Sequence, residues 1–297
     1  MKSKIYLAAT VLFVSVSTFS QELPKEKSKK VTISEFHLQN GFLMNSMIRG
    51  SLNDFNALAP SSSLLKNDFS DFNESNEIGQ ISNSYQAMYL GLRFNNREKN
   101  NFLDNPVLRL GINYASSNSL SAHYSQEKRT PYDTLVSSQT GESFYVDSVH
   151  LKNYHMSQNM QQLRIDAALI FQTDPNFRFS FFAGIGISAG MSLKSEIEIN
   201  YDESNTVESY GEINSHSYDM HDDYSSKREI YTTKNITGAT AYVPFGINLR
   251  LGKKREFWKH VNLYMESRAA LNITSIPELR TFTTVGLSNA LGLKITW

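Results

Sequence analysis

Apolar residues recur at every second position along much of this chain, and a period of two belongs to a strand, whose successive side chains point to opposite faces. In the terminal stretch "TTVGLSNALGLKITW", Val285, Leu287, Leu291, Leu293, Ile295 and Trp297 share one parity, while Thr284, Gly286, Ser288, Ala290, Gly292, Lys294 and Thr296 hold the other. Asn289 breaks the pattern. The alternation recurs over residues 261–273, 239–251, 177–193, 163–171, 108–114 and 88–94, and more weakly over 36–45. That makes eight strands, each able to supply the roughly 9 to 11 residues a tilted strand needs to cross a bilayer.

The greasy faces fit either a protein core or hydrocarbon, and the opposite faces decide between them. In a soluble barrel the polar face meets water and is rich in Lys, Glu and Asp. Here it is dominated by Gly, Ser, Ala, Thr and Asn, with charge mainly at mid-strand, as suits a crowded interior. Connections alternate between long (51–82, 123–158, 196–236) and short (95–105, 173–176, 252–260), with a compact last one at 275–281. Long loops on one side and short turns on the other are the organisation of an outer-membrane barrel. The predicted fold is all-β, an eight-stranded antiparallel transmembrane up-and-down barrel, with ten strands as the alternative. Segments such as "SFYVDSVHLKNYHM" and "SSKREIYTTKNIT" extend hairpins beyond the membrane or add that extra pair.

The start of the chain agrees. Lys2 and Lys4 precede an apolar run from Ile5 to Phe19, followed by small residues, which reads as a secretory signal over 1–20. A periplasmic leader over 21–30 and the barrel over 31–297 follow, which places the protein in the cell outer membrane. The 29 basic and 29 acidic residues cancel, so no global charge points to nucleic acid, and the absence of Cys excludes disulfides, thiol catalysis and Cys-based metal sites.

Eight strands enclose a space that side chains fill, so charges on the inward parity must pair there. His37, Arg164, Asp166, Glu266 and Arg268 form the expected lumen network, with Arg164 to Glu266 and Asp166 to Arg268 as the assigned pairs. An enzymatic alternative sits in "HMSQN", where His155 would activate Ser157 with Glu196 or Glu198 as the acid, on a strand face turned toward lipid. The acidic stretch 196–223, with His216 and His221, reads as a solvated loop and not as a dedicated cation site, and no cofactor or metal is expected. Residues 51–66 suggest a short amphipathic helix over the barrel mouth, limited by Pro60. The turn "GKKREFWKH" sets Phe257 and Trp258 beside bases at the membrane interface.

A signal ending "FSQE", strands such as "FFAGIGISAG" and "YVPFGINLRLG", and a terminal strand closing on an aromatic residue together resemble the outer-membrane β-barrel proteins common in Bacteroidota, similar in architecture to the OmpA and OmpX type. The resemblance implies that Trp297 belongs to a carboxy-terminal signal read by the barrel assembly machinery; it carries over no catalytic residue. The expected role is non-enzymatic: stabilising the envelope, or binding a surface protein or ligand at loops 51–82, 123–158 and 196–236, in contact with outer-membrane lipid and lipopolysaccharide and with no nucleic acid. A lipid A deacylase-like hydrolase and a narrow channel are the alternatives.

Overall fold

The computed structural model describes residues 31–45, 48–75, 83–94, 101–136, 141, 143–210, 223–252 and 255–297. The signal and leader segments, His216 and His221, and Lys253 and Lys254 lie outside them. Strands run in the order β1 (Val31–Asn45), β2 (Ile48–Arg49), β3 (Asn73–Glu74), β4 (Asn83–Phe94), β5 (Val107–Val136), β6 (Ser143–Gln172), β7 (Phe179–Tyr210), β8 (Asp223–Thr232), β9 (Thr237–Arg250), β10 (Val261–Ser275) and β11 (Thr281–Thr296). A helix α1 (Leu52–Leu58) lies in the first outer connection, and a single turn α2 (Glu256–Lys259) lies between β9 and β10.

The sheet closes on itself in the order β5-β4-β1-β11-β10-β9-β7-β6, with β6 pairing back onto β5. Every pairing around that ring is antiparallel. Closure leaves no edge within the ring, so backbone donors and acceptors are satisfied without water, which is what a bilayer demands. The burial pattern is the reverse of a soluble barrel's: Ile165 and Leu291 are 74% and 69% exposed, while Glu266 and Arg109 are 0% and 2% exposed. Oily side chains clothe the outside of a transmembrane barrel. Phe94, Phe177, Phe179, Phe257, Trp258 and Trp297 are exposed at its short-turn end.

Two of the connections predicted as loops, 123–158 and 196–236, are mostly strand. β5 and β6 have 30 residues each and β7 has 32, about three times what a crossing takes. Their outer parts, with β8 paired to β7, form a four-stranded blade above the membrane. There the polarity inverts. On β7, Phe181, Ile185, Ile187 and Leu193 point outward, yet Ile197, Ile199 and Tyr201, of the same parity, are buried inside. An extra residue causes the switch: Gln161 pairs with Lys194 while Gln162 pairs with Ser192, leaving Leu193 as a bulge. On β5, a register shift between Asn118 and Leu120 does the same. The strand formed by β8 and β9 is interrupted between Thr232 and Thr237, opposite that bulge, and Ile236 turns inward there.

The inward apolar residues of the blade form a core with the first connection. Phe55 and Leu58 of α1, with Leu64 and Leu65 just beyond it, pack against Leu120, Met156, Ile197 and Ile199. Ser51 caps α1 by accepting from the Asp54 amide, and the Asp54 carboxylate accepts from the Ser51 amide in return. The helix stops before Pro60, which cannot supply a helical donor.

The belt assignment makes a position-dependent prediction. Ile185→Arg, at the middle of the outward face of β7, should destabilise insertion into vesicles by about 2–4 kcal/mol. Asn159→Arg, exposed above the belt on β6, should cost less than about 1 kcal/mol. Equal costs in a vesicle-folding titration would contradict the belt.

Candidate functional site

Three groups of polar side chains stand out: a charged lumen, a carboxylate that ties down the mouth cover, and a histidine pair on the blade. The lumen centre is built by β5, β6 and β10. Arg109 grips Glu266 with both terminal nitrogens, Nη1 to Oε2 at 2.5 Å and Nη2 to Oε1 at 3.0 Å. Arg268 Nε donates to the same carboxylate at 2.5 Å and Nη1 reaches Asp166 at 3.4 Å, while Tyr242 donates to Asp166 at 2.5 Å. Two guanidiniums thus face two carboxylates, and the cluster is neutral. Tyrosines wall it in: Arg109 stacks over Tyr89 at 4.7 Å and Arg268 over Tyr242 at 4.8 Å.

Of the residues expected in this network, Asp166, Glu266 and Arg268 meet. Arg164 does not reach Glu266; it donates to Gln162 and, at 2.8 Å, to Thr240. His37 lies lower, 3.1 Å from Glu35, which also has Lys294 at 3.9 Å and Arg93 at 3.7 Å. Sequence reasoning did not select Arg109, Glu35 and Lys294, although each stands on the polar parity of its strand. The cavity beside His37 and Arg109 holds no more than about one water. His37 Nδ1 and Arg109 Nε, which lack a partner among the described residues, belong to residues lining it.

Glu229 on β8 anchors the mouth cover. It accepts from Ser62 Oγ at 2.6 Å, from the Ser63 hydroxyl and from Tyr231 at 2.9 Å. Burial pushes the carboxyl up, but these donors and the Leu64 amide outweigh it and hold Glu229 at about 2.

On the blade's outward face, the strand register sets His155 opposite His123, with ring centroids 6.3 Å apart. These residues face water above the belt, not lipid. His155 is exposed and Ser157 is buried, and among the described residues no hydrogen bond joins His155 to Ser157, Glu196 or Glu198. Glu196 pairs with Lys194 at 2.7 Å and Glu198 with Arg228 at 2.9 Å. The His–Ser–acid relay that "HMSQN" suggested is therefore not assembled in this geometry. Burial and the neighbouring His123 hold the His155 imidazole below its ordinary value, against the pull of Glu198 and Asp202. No set of three or more metal-ligating side chains converges among the described residues.

Two outcomes follow. Glu266→Gln leaves two buried guanidiniums with one carboxylate, Asp166, between them and Arg109 facing a neutral amide, and should destabilise the barrel by about 3–5 kcal/mol in urea titrations from vesicles. The double change Arg109→Leu with Glu266→Leu should recover part of that loss; no recovery would mean the charges do not act as a pair. The lowered Glu229 carboxyl contributes stability that is full above its unfolded value near 4.3 and lost as pH falls toward about 2. Amide exchange at Phe55 and Leu64 should accelerate across that window, after correction for intrinsic rates, and this pH dependence should be absent in Glu229→Gln.

No protein-family model matches the chain, and no curated protein matches it. Among solved structures it is similar to Neisserial surface protein A, at 11% identity and a TM-score of 0.32, covering 91% of this chain and 100% of that one. It is also similar to Ail, the attachment invasion locus protein of Yersinia pestis, at 9% identity and a TM-score of 0.24, covering 89% of this chain and 100% of that one.

Proposed function

We propose that this chain is an integral outer-membrane barrel with a closed lumen, non-enzymatic, whose role is to hold a rigid β blade above the outer leaflet for surface binding or envelope bracing. The observation that carries this reading is the polarity inversion along the barrel axis. An apolar outside and charged inside suit hydrocarbon; an apolar inside and polar outside, a bulge higher, suit water. The belt would contact lipid and the lipid portion of lipopolysaccharide, and Trp297, exposed at the short-turn end, is where we place the assembly signal.

Passage through the lumen is opposed twice, by the Arg109, Glu266, Arg268 and Asp166 cluster and by the apolar cover of α1. Binding therefore belongs to the blade and to the cover, not to a channel. The blade gives more than the predicted loops would: paired strands fix the spacing of their side chains, so a partner meets a surface with little ordering entropy left to lose.

The absence of cysteine in the sequence makes topology directly testable. Ser226→Cys on β8 should react with a membrane-impermeant maleimide on intact cells, whereas Asn176→Cys in the short β6–β7 turn should react only after permeabilisation. The reverse pattern would overturn the orientation. In planar bilayers the purified protein should give no conductance above bare lipid, and steady ion currents would refute a closed lumen.

A further inference from the structure

The geometry points to a surface site for one divalent transition-metal ion, of the imidazole-preferring kind typified by Cu2+, held between His123 and His155 on the outward face of the blade. The two residues are direct cross-strand partners, so their side chains leave the sheet on one face from adjacent positions. Their ring centroids are 6.3 Å apart. Two imidazoles bound to one ion at 2.0–2.1 Å have centroids about 5 Å apart, so a small side-chain rotation closes the gap. Neither ring has a hydrogen-bond partner among the described residues, which leaves an acceptor nitrogen on each uncommitted.

The backbone beneath is fixed. His155 lies between β5 and β7, opposite His123 on one side and Asn200 on the other. His123 pairs with β6, and on its other edge its carbonyl accepts from the Ser75 amide at 2.9 Å. Pre-set spacing lowers the ordering cost of chelation. Two acids on β7 act on His155: Glu198, which Arg228 balances at 2.9 Å and which accepts from Asn200 Nδ2 at 3.0 Å, and Asp202, which accepts from the Tyr224 hydroxyl at 2.8 Å. Asp202 supplies negative potential without serving as a ligand, and water completes the coordination shell. Neutral nitrogen ligands select Cu2+, Ni2+ or Zn2+ over Ca2+ and Mg2+, with Cu2+ bound most tightly.

The test is Cu2+ titration of the detergent-solubilised protein, purified without a histidine tag, read by calorimetry and by electron paramagnetic resonance. The wild type should bind one Cu2+ with nitrogen superhyperfine structure from two imidazoles. His123→Ala and His155→Ala should each weaken binding by about tenfold or more. Where either fails to fold, His123→Gln and His155→Gln replace them, with circular dichroism confirming the barrel. His150→Ala and the pair His216→Ala with His221→Ala should leave the affinity unchanged. Wild-type affinity in both blade variants, or loss of binding only in the His216 and His221 variant, would overturn the assignment.

Discussion

The change of solvent along the barrel axis governs this molecule. Within hydrocarbon every backbone group must be paired internally, which forces closure of the sheet, and the outward side chains are mostly apolar, with Asn289 accepting from Ser267 Oγ at 2.6 Å where the pattern breaks. Above the membrane the same strands meet water, and the polarity must reverse. Strands alternate rigidly, so reversal takes either an extra residue or a change of composition. β7 and β5 use the extra residue: the parity that carries Ile187 and Leu193 outward carries Ile197 and Ile199 inward, and the parity of Leu110 and Ile112 continues into Leu120 and Ala122. β6 uses composition, its inward column passing from Asp166 through Gln162 to Met156 and Tyr154 with no shift on its own strand.

Inside the membrane the problem is volume as well as charge. An interior this narrow accepts large rings only where the facing wall is thin. A Cβ on Gly186 would lie 2.3 Å from the Tyr242 ring, and one on Gly292 would lie 2.3 Å from the ring of Tyr264. Each glycine is the cross-strand partner of the tyrosine it accommodates. The tyrosines then lie against the wall and present their hydroxyls to the charged centre: Tyr242 reaches Asp166, and Tyr264 reaches Gln39. Buried ions are tolerated because each guanidinium of the central cluster faces a carboxylate that it hydrogen-bonds.

The barrel was legible in the sequence because lipid imposes a uniform rule on the outward face, and alternation from Phe177 to Leu193 reports it directly. The glycine-rich polar parity was legible too, since no water-facing strand needs so little side chain. Two things were not. Alternation persists unbroken through the β7 bulge, so parity alone could not tell that Ile197 and Ile199 are inside, nor that His155 faces water. Parity also gives the face of a residue but not its height across a closed barrel. Hence parity offers Asp166 to Arg268, which meet, and Arg164 to Glu266, whose partner is instead Arg109, on a strand across the lumen.

These two limits bear on function differently. The lumen pairing, whichever partners it uses, ends in the same side-chain-filled interior, so its details affect stability more than role. The bulges do bear on role, because they turn the apolar parity of β5 and β7 inward where the sheet continues above the membrane. In a loop, His123 and His155 would be separated by the closure entropy of the intervening chain. In paired strands, they face one another before any ligand arrives. The device that lets the chain pass from lipid to water thus also creates, above the membrane, a surface whose side chains have fixed neighbours.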